Sequence, residues 1–179
     1  MSDTALLVID VQESFRHTPY WSDADVPPFI ERLQALIDGA RSRNIRIAQV
    51  FHLRENSPFA PDSGFVTTLS PLVIQPDAVF RKRKHSALVG TGLDVWLTQQ
   101  GIRRLIVSGI RTEQCCETTA RHAADQGWTV DYVTEATLTF AMTDAGGRVH
   151  SAEEIKAHTA MVLAGRFARI ATVEQALAG

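Results

Sequence analysis

Cysteine is nearly absent from this chain of 179 residues: there are two, Cys115 and Cys116, and they are adjacent. Neighbours in sequence cannot staple a fold, so a disulfide framework is excluded and a reducing, cytoplasmic setting is the expectation. Long apolar runs are missing as well. None approaches the roughly 18 residues that a spanning helix needs, so no membrane partner is expected. Nor is there an excess of either charge. Lys and Arg number 18 against 20 Asp and Glu, a formal net charge of −2 that gives no reason to expect a nucleic-acid partner. The 6 histidines are scattered without metal-ligand spacing. The opening residues lack a basic segment, a long apolar stretch and a small-residue cleavage site, and they read as a short strand rather than a signal peptide.

What is present is ordinary for a globular protein: 45% hydrophobic and 21% charged residues, in a length that suits one domain over 1–179. Apolar segments alternate in period. Ala5 to Ile9 is a short apolar run stopping at Asp10. A helical pattern runs from Pro28 to Arg43 with Phe29, Ile30, Leu33, Ile37 and Ala40 on one face. Strands are predicted at Ile45–Phe51, Ala78–Arg81, Leu105–Ser108, Val130–Val133 and Ala168–Ala171, and helices at about Gly92–Gln100 and Cys115–Gln126. Ser151 to Glu154 has capping-box spacing before a helix ending near Leu163, and Thr172 to Gln175 repeats it. Residues 53–76, with four prolines and a glycine, read as a long loop. Strands alternating with helices predict a doubly wound, Rossmann-type α/β fold with mainly parallel strands.

Ligands of such sheets bind beyond the carboxyl ends of the strands. Asp10 and Gln12, His52, Lys82 to His85, and Gly109 to Cys116 all fall there, so a carboxylate, a basic cluster and a thiol converge on one crevice. Cys115, near a helix N-terminus and close to a lysine, is in a setting that favours a thiolate nucleophile, although most isolated intracellular cysteines are simply small buried hydrophobes. Asp10 suits a general base beside that thiol, or a turn cap. Cys116 reads as packing. Two lysines of the run Arg81-Lys-Arg-Lys84 compete for the crevice: strand alternation puts Lys82 and Lys84 on one side, while Arg81, Arg83 and Lys84 also suit a solvated edge.

Three segments carry a family likeness. Ala5 to Phe15 resembles an opening strand with D-x-Q-x-x-F; Lys82 to Leu88 resembles K-x-x-x-S-A-F; Ser108 to Ala120 resembles G-[VI]-x-T-[DE]-x-C-V-x-x-T-A. Together they resemble the isochorismatase-like cysteine hydrolases, which include nicotinamidase, N-carbamoylsarcosine amidohydrolase and isochorismatase. The resemblance covers nearly the whole chain. It implies a three-layer α/β/α fold with a six-stranded sheet, Asp10 as base, Lys82 as supporting cation and Cys115 as nucleophile. It also implies a non-proline cis peptide at Ile110–Arg111, with the amides of Arg111 and Cys115 as the oxyanion hole. A small amide, ureide or carbamoyl compound would then be cleaved at its C–N bond through a thioester. Homo-oligomers, dimers or tetramers, are implied too, and the turn-rich residues 139–150 are expected near the crevice, within reach of a neighbour's site.

Departures from the pattern bear on specificity. Leu88 replaces the usual Phe, and Cys116 a usual Val. The Asp-x-His of nicotinamidases is missing around His52, so no metal and no cofactor is expected, and His52 reads as a polar pocket wall. Gln12, Phe15, Trp21, Leu88 and Phe140 are the other candidate pocket residues, with Phe15, Tyr20 and Trp21 equally suited to core or interface. Arg111, if turned inward, suits a substrate carboxylate. Vinyl-ether hydrolysis of an isochorismate-like substrate, and a catalytically silent binding protein, remain alternatives.

Overall fold

The computed structural model describes residues 2–179. Strands β1 (Thr4–Ile9), β2 (Arg46–His52), β3 (Ala78–Lys82), β4 (Arg104–Ile110), β5 (Thr129–Leu138) and the short edge strand Arg169–Ile170 form one sheet in which every pairing is parallel. Helices α1 (Val26–Ser42), α2 (Leu93–Gln99), α3 (Glu117–Asp125), α4 (Ala152–Leu163) and α5 (Val173–Ala178) flank it. Between β5 and α4 lies a two-stranded hairpin of β6 (Met142–Thr143) and β7 (Val149–His150), which makes the edge strand β8.

Burial on both faces explains why β1 is apolar throughout. Leu6 and Val8 join a cluster with Phe29, Leu33 and Ile37 of α1 and Val173 of α5, whereas Ala5, Leu7 and Ile9 face Leu93, Leu97 and Ala120 of α2 and α3. Strand alternation divides β4 in the same way, with Ile106 and Ile110 on the α1 side and Leu105 and Val107 on the other. The helices begin and stop where local chemistry demands. Prolines occupy the first turn of α1, and Asn44, just beyond its end, takes the left-handed conformation (φ 55°). Both expected capping boxes, Ser151 with Glu154 and Thr172 with Gln175, are formed.

Sheet order is β3-β2-β1-β4-β5-β8. The chain winds one way from β1 to β3 and the other way from β4 onward, so the topological switch point lies between β1 and β4. Of the predicted boundaries that move, two lie beside the cysteine turn. The helix expected from Cys115 starts at Glu117, because Thr112–Cys116 forms a π turn first. Strand β5 continues to Leu138, past a register shift opposite Val107–Gly109. Among the described residues, no helix is long and apolar enough to cross a membrane.

Candidate active site

At the switch point the chain leaves β1 through Asp10, fully buried and held at φ 55°, a left-handed conformation that Asp tolerates better than most residues. Its amide donates to Val50 O at 2.8 Å, tying the bend to the end of β2. From the end of β3, Lys82 reaches in with 1% of its surface exposed. Lys82 Nζ lies 2.7 Å from Asp10 Oδ2 and donates to Cys115 Sγ at 3.2 Å and to Lys84 O at 3.1 Å. Strand β3 ends at Lys82, so Lys84 has left the sheet and is exposed, contributing its carbonyl rather than its ammonium. Arg81 and Arg83 are exposed too, Arg83 pairing with Glu55 at 2.7 Å.

Cys115 sits on the π turn after β4, where Cys116 N–H donates to Arg111 O at 3.2 Å. The Ile110–Arg111 peptide that enters this turn is cis. Burial, together with the carboxylate of Asp10, pushes the Cys115 thiol up to about 12 against the opposing pull of Lys82, so the thiol keeps its proton at neutral pH. Burial also raises Asp10, with Lys82 opposing. For Lys82 burial works against the charge, but Asp10 and Cys115 overcome it and hold the ammonium protonated.

His52 completes the cluster. The β2–β3 register sets it directly beside Lys82, and its Nδ1 lies 3.1 Å from Lys82 Nζ. An ammonium only donates, so Nδ1 accepts and the ring proton resides on Nε2. Burial, then the charges of Lys82, His85 and Arg54, lower His52 to about 4, leaving it neutral over the physiological range. Gln12, fully buried, holds the main chain of His52 from both sides: Oε1 accepts from His52 N at 2.8 Å and Nε2 donates to His52 O at 3.2 Å. Donor atoms of Asp10, His52 and Cys115 lie within 4.8 Å of one another, a spacing that would suit a metal ion. Lys82 Nζ contacts all three residues, and a cation already at the centre of a donor set makes it unfit for a second.

The other expected pocket residues divide. Phe140 is buried beside Tyr20 and Trp21, with ring centroids 5.5 and 5.3 Å away. Leu88 packs in the apolar cluster that contains Cys115. Phe15 connects to His52 through Phe59, whose ring lies 4.9 Å from Phe15 and 5.7 Å from His52. The side chain of Arg111 is buried, and Glu113, to which the sequence reading gave no role, pairs with it at 2.9 Å. Thr139 Oγ1 donates to the other Glu113 oxygen at 2.6 Å. Of the turn-rich segment, Thr139 thus meets Glu113 and Phe140 meets Tyr20 and Trp21. Phe59 gave no signal in the sequence, because its contacts bridge segments far apart in the chain.

The profile of the isochorismatase domain matches residues 4–175. Nicotinamidase 3 of Arabidopsis thaliana is 32% identical over 155 residues, 76% of this chain and 73% of the relative. Streptothricin hydrolase of Streptomyces noursei is 31% identical over 145 residues, 76% of this chain and 50% of that protein. A crystal structure of an isochorismatase-family protein from Chromobacterium violaceum superposes with a TM-score of 0.89 at 29% identity, covering 99% of this chain and 93% of the other.

Proposed function

Because this chain belongs to the isochorismatase family, we propose that it is a cysteine hydrolase that cleaves the C–N bond of a small amide, ureide or carbamoyl compound. One observation carries the reading: a buried ammonium, Lys82 Nζ, bridges Asp10 Oδ2 at 2.7 Å and Cys115 Sγ at 3.2 Å. Relatives named nicotinamidase and streptothricin hydrolase support the bond class.

A thiol near 12 is a poor nucleophile until its proton is taken during attack. Asp10 serves as that base. As Cys115 Sγ bonds to the carbonyl carbon, Asp10 accepts the thiol proton and Lys82 compensates the charge passing between sulfur and carboxylate. The amides of Arg111 and Cys115 stabilise the oxyanion, an effect worth about 3–4 kcal/mol per donor in one protease. Collapse breaks the C–N bond, and Asp10 returns the proton to the departing nitrogen. Water then attacks the thioester while Asp10 takes its proton; the S–C bond breaks, the acid leaves and the proton restores the thiol. No metal takes part, in keeping with the ammonium at the centre of the donor set.

Intact-protein mass spectrometry during turnover of a panel of small amides and ureides tests this. An acyl adduct on the wild type that is absent from Cys115→Ala is the expected result. Turnover of isochorismate that survives in Cys115→Ala would replace the reading with vinyl-ether hydrolysis.

A further inference from the structure

Tyr132 is fully buried in the middle of β5, beside Val107 of β4 and Ile170 of β8. Its ring packs in the apolar cluster that contains Cys115, Cys116 and Ala120. A phenylalanine would fill that space without the cost of burying a hydroxyl. The hydroxyl has one definite use: it donates to Thr112 O, at the start of the turn that carries Cys115, at 2.7 Å. Burial pushes the phenol well above its ordinary value, so the proton stays and the group donates. Thr112 is also held by its side chain, Oγ1 donating to Thr137 Oγ1 at 2.8 Å, and Thr137 Oγ1 donates in turn to Thr134 O at 2.8 Å.

The carbonyl that Tyr132 holds decides the register of the turn. An α-turn would bond Arg111 O to the amide of Cys115, and Thr112 O to that of Cys116. Here Arg111 O takes the amides of Gln114 and Cys116, both at 3.2 Å, and Thr112 O takes that of Glu117. A carbonyl oxygen has two lone pairs. With Glu117 N–H on one and the Tyr132 hydroxyl on the other, Thr112 O has no place for Cys116 N–H, and the turn cannot tighten by one residue. We propose that Tyr132 is a positioning residue: by occupying Thr112 O it locks the wide register of the cysteine turn, which keeps the Cys115 amide from Arg111 O and available to an oxyanion. The use made of that amide rests on the hydrolase reading above, whereas the bond from hydroxyl to carbonyl does not.

Two reagents that attack the same sulfur separate this role from simple packing. With p-nitrophenyl acetate, Sγ bonds to the carbonyl carbon, charge gathers on the carbonyl oxygen, and p-nitrophenolate leaves as Asp10 takes the thiol proton. With iodoacetamide, Sγ displaces iodide from a saturated carbon and no oxyanion forms. Rates of both are read by mass spectrometry, with the label mapped to Cys115. Tyr132→Phe keeps the ring and should slow acetylation about tenfold, part of the 10²–10³ lost when an oxyanion donor is removed outright. Alkylation should change by less than about twofold, since the thiol keeps its neighbours. Replacing Tyr132 by p-aminophenylalanine, whose neutral amine donates to the same carbonyl, should restore acetylation. Acetylation that is unchanged in Tyr132→Phe, or slowed no more than alkylation, would overturn the positioning role and leave Cys115 as nucleophile. A wild type that is alkylated but never acetylated at Cys115 would overturn the hydrolase reading and this role with it.

Discussion

His52 Nδ1 accepts a hydrogen bond from Lys82 Nζ at 3.1 Å, so a neutral imidazole is part of the charged cluster. Its folded value of about 4 lies below the ordinary 6.5, with burial the main cause and Lys82 next. Between those pH values the unfolded chain binds a proton that the folded chain does not. The associated stability is complete above 6.5 and is lost as pH falls towards 4. Asp10, raised by burial, contributes with the opposite sign, so a difference between variants isolates the histidine. His52→Asn, whose Oδ1 can still accept from Lys82 but does not titrate, should lose less of its melting midpoint than wild type over this range. Parallel slopes in the two proteins would sink the idea.

The Asp10–Lys82 pair, 2.7 Å apart with both side chains fully buried, predicts strong non-additivity. Removing one partner of a buried pair leaves the other charge uncompensated, at a cost of about 3–5 kcal/mol. Lys82→Met should therefore lower the melting midpoint by roughly 6–20 °C, at about 2–4 °C per kcal/mol for a protein of this size. Asp10→Asn should lose about 10²–10⁴-fold in turnover, the usual contribution of a general base. The double variant Asp10→Asn/Lys82→Met should be more stable than the sum of the singles, as thermal melts would show. Additive melting shifts would mean that the pair is not coupled.

The meeting of Asp10, Lys82 and Cys115 was legible because three short segments end in chemically distinct side chains at the same edge of the sheet. Choosing between Lys82 and Lys84 needed the register: pairing of His52 with Lys82 closes the β2–β3 ladder there. Strand β5 was read short because Thr134 and Glu135, half-exposed, interrupt its apolar pattern before Ala136 to Leu138 resume it. The π turn at Thr112–Cys116 has no composition distinguishing it from the first turn of an α-helix. Glu113 stood in plain view within the family motif. Its pairing with Arg111 depends on the path of the turn, and its second partner, Thr139, follows the last residue of β5.

Gly109 lies opposite Ile9 in the β1–β4 ladder with φ 130°. A β-carbon added there would fall 2.0 Å from Ile9 O and 2.7 Å from Ile9 N, both rigid backbone atoms of the central strand. Alanine can be accommodated only by prying β1 from β4 at the crevice itself. Gly109→Ala should lose about 4 kcal/mol or more, the range reserved for gross steric or cavity defects, and should appear mainly as insoluble protein. A soluble variant with a melting midpoint close to wild type would show that the two strands separate more easily than their burial implies.

Thr119 lies one helical turn beyond Cys115 and connects its main chain to the segment after Lys82 with one oxygen. Its Oγ1 donates to Cys115 O at 2.6 Å and accepts from Ala87 N at 3.0 Å. A turn further along, His122 Nδ1 meets Ser86 Oγ at 2.8 Å, so successive turns of one helix face fasten the segment that follows Lys82. The separation of Lys82 Nζ and Cys115 Sγ thus depends on contacts made outside the reacting centre. Thr119→Val keeps the volume and deletes the oxygen. It should reduce turnover about tenfold, the cost of one net hydrogen bond near its upper range, with the pH dependence of Cys115 alkylation by iodoacetamide displaced as the lysine shifts. Thr119→Ser, which restores the oxygen, should return both readouts to near wild type. If Val and Ser variants behave alike, the methyl packing of Thr119 rather than its bridging oxygen sets the position of the thiol.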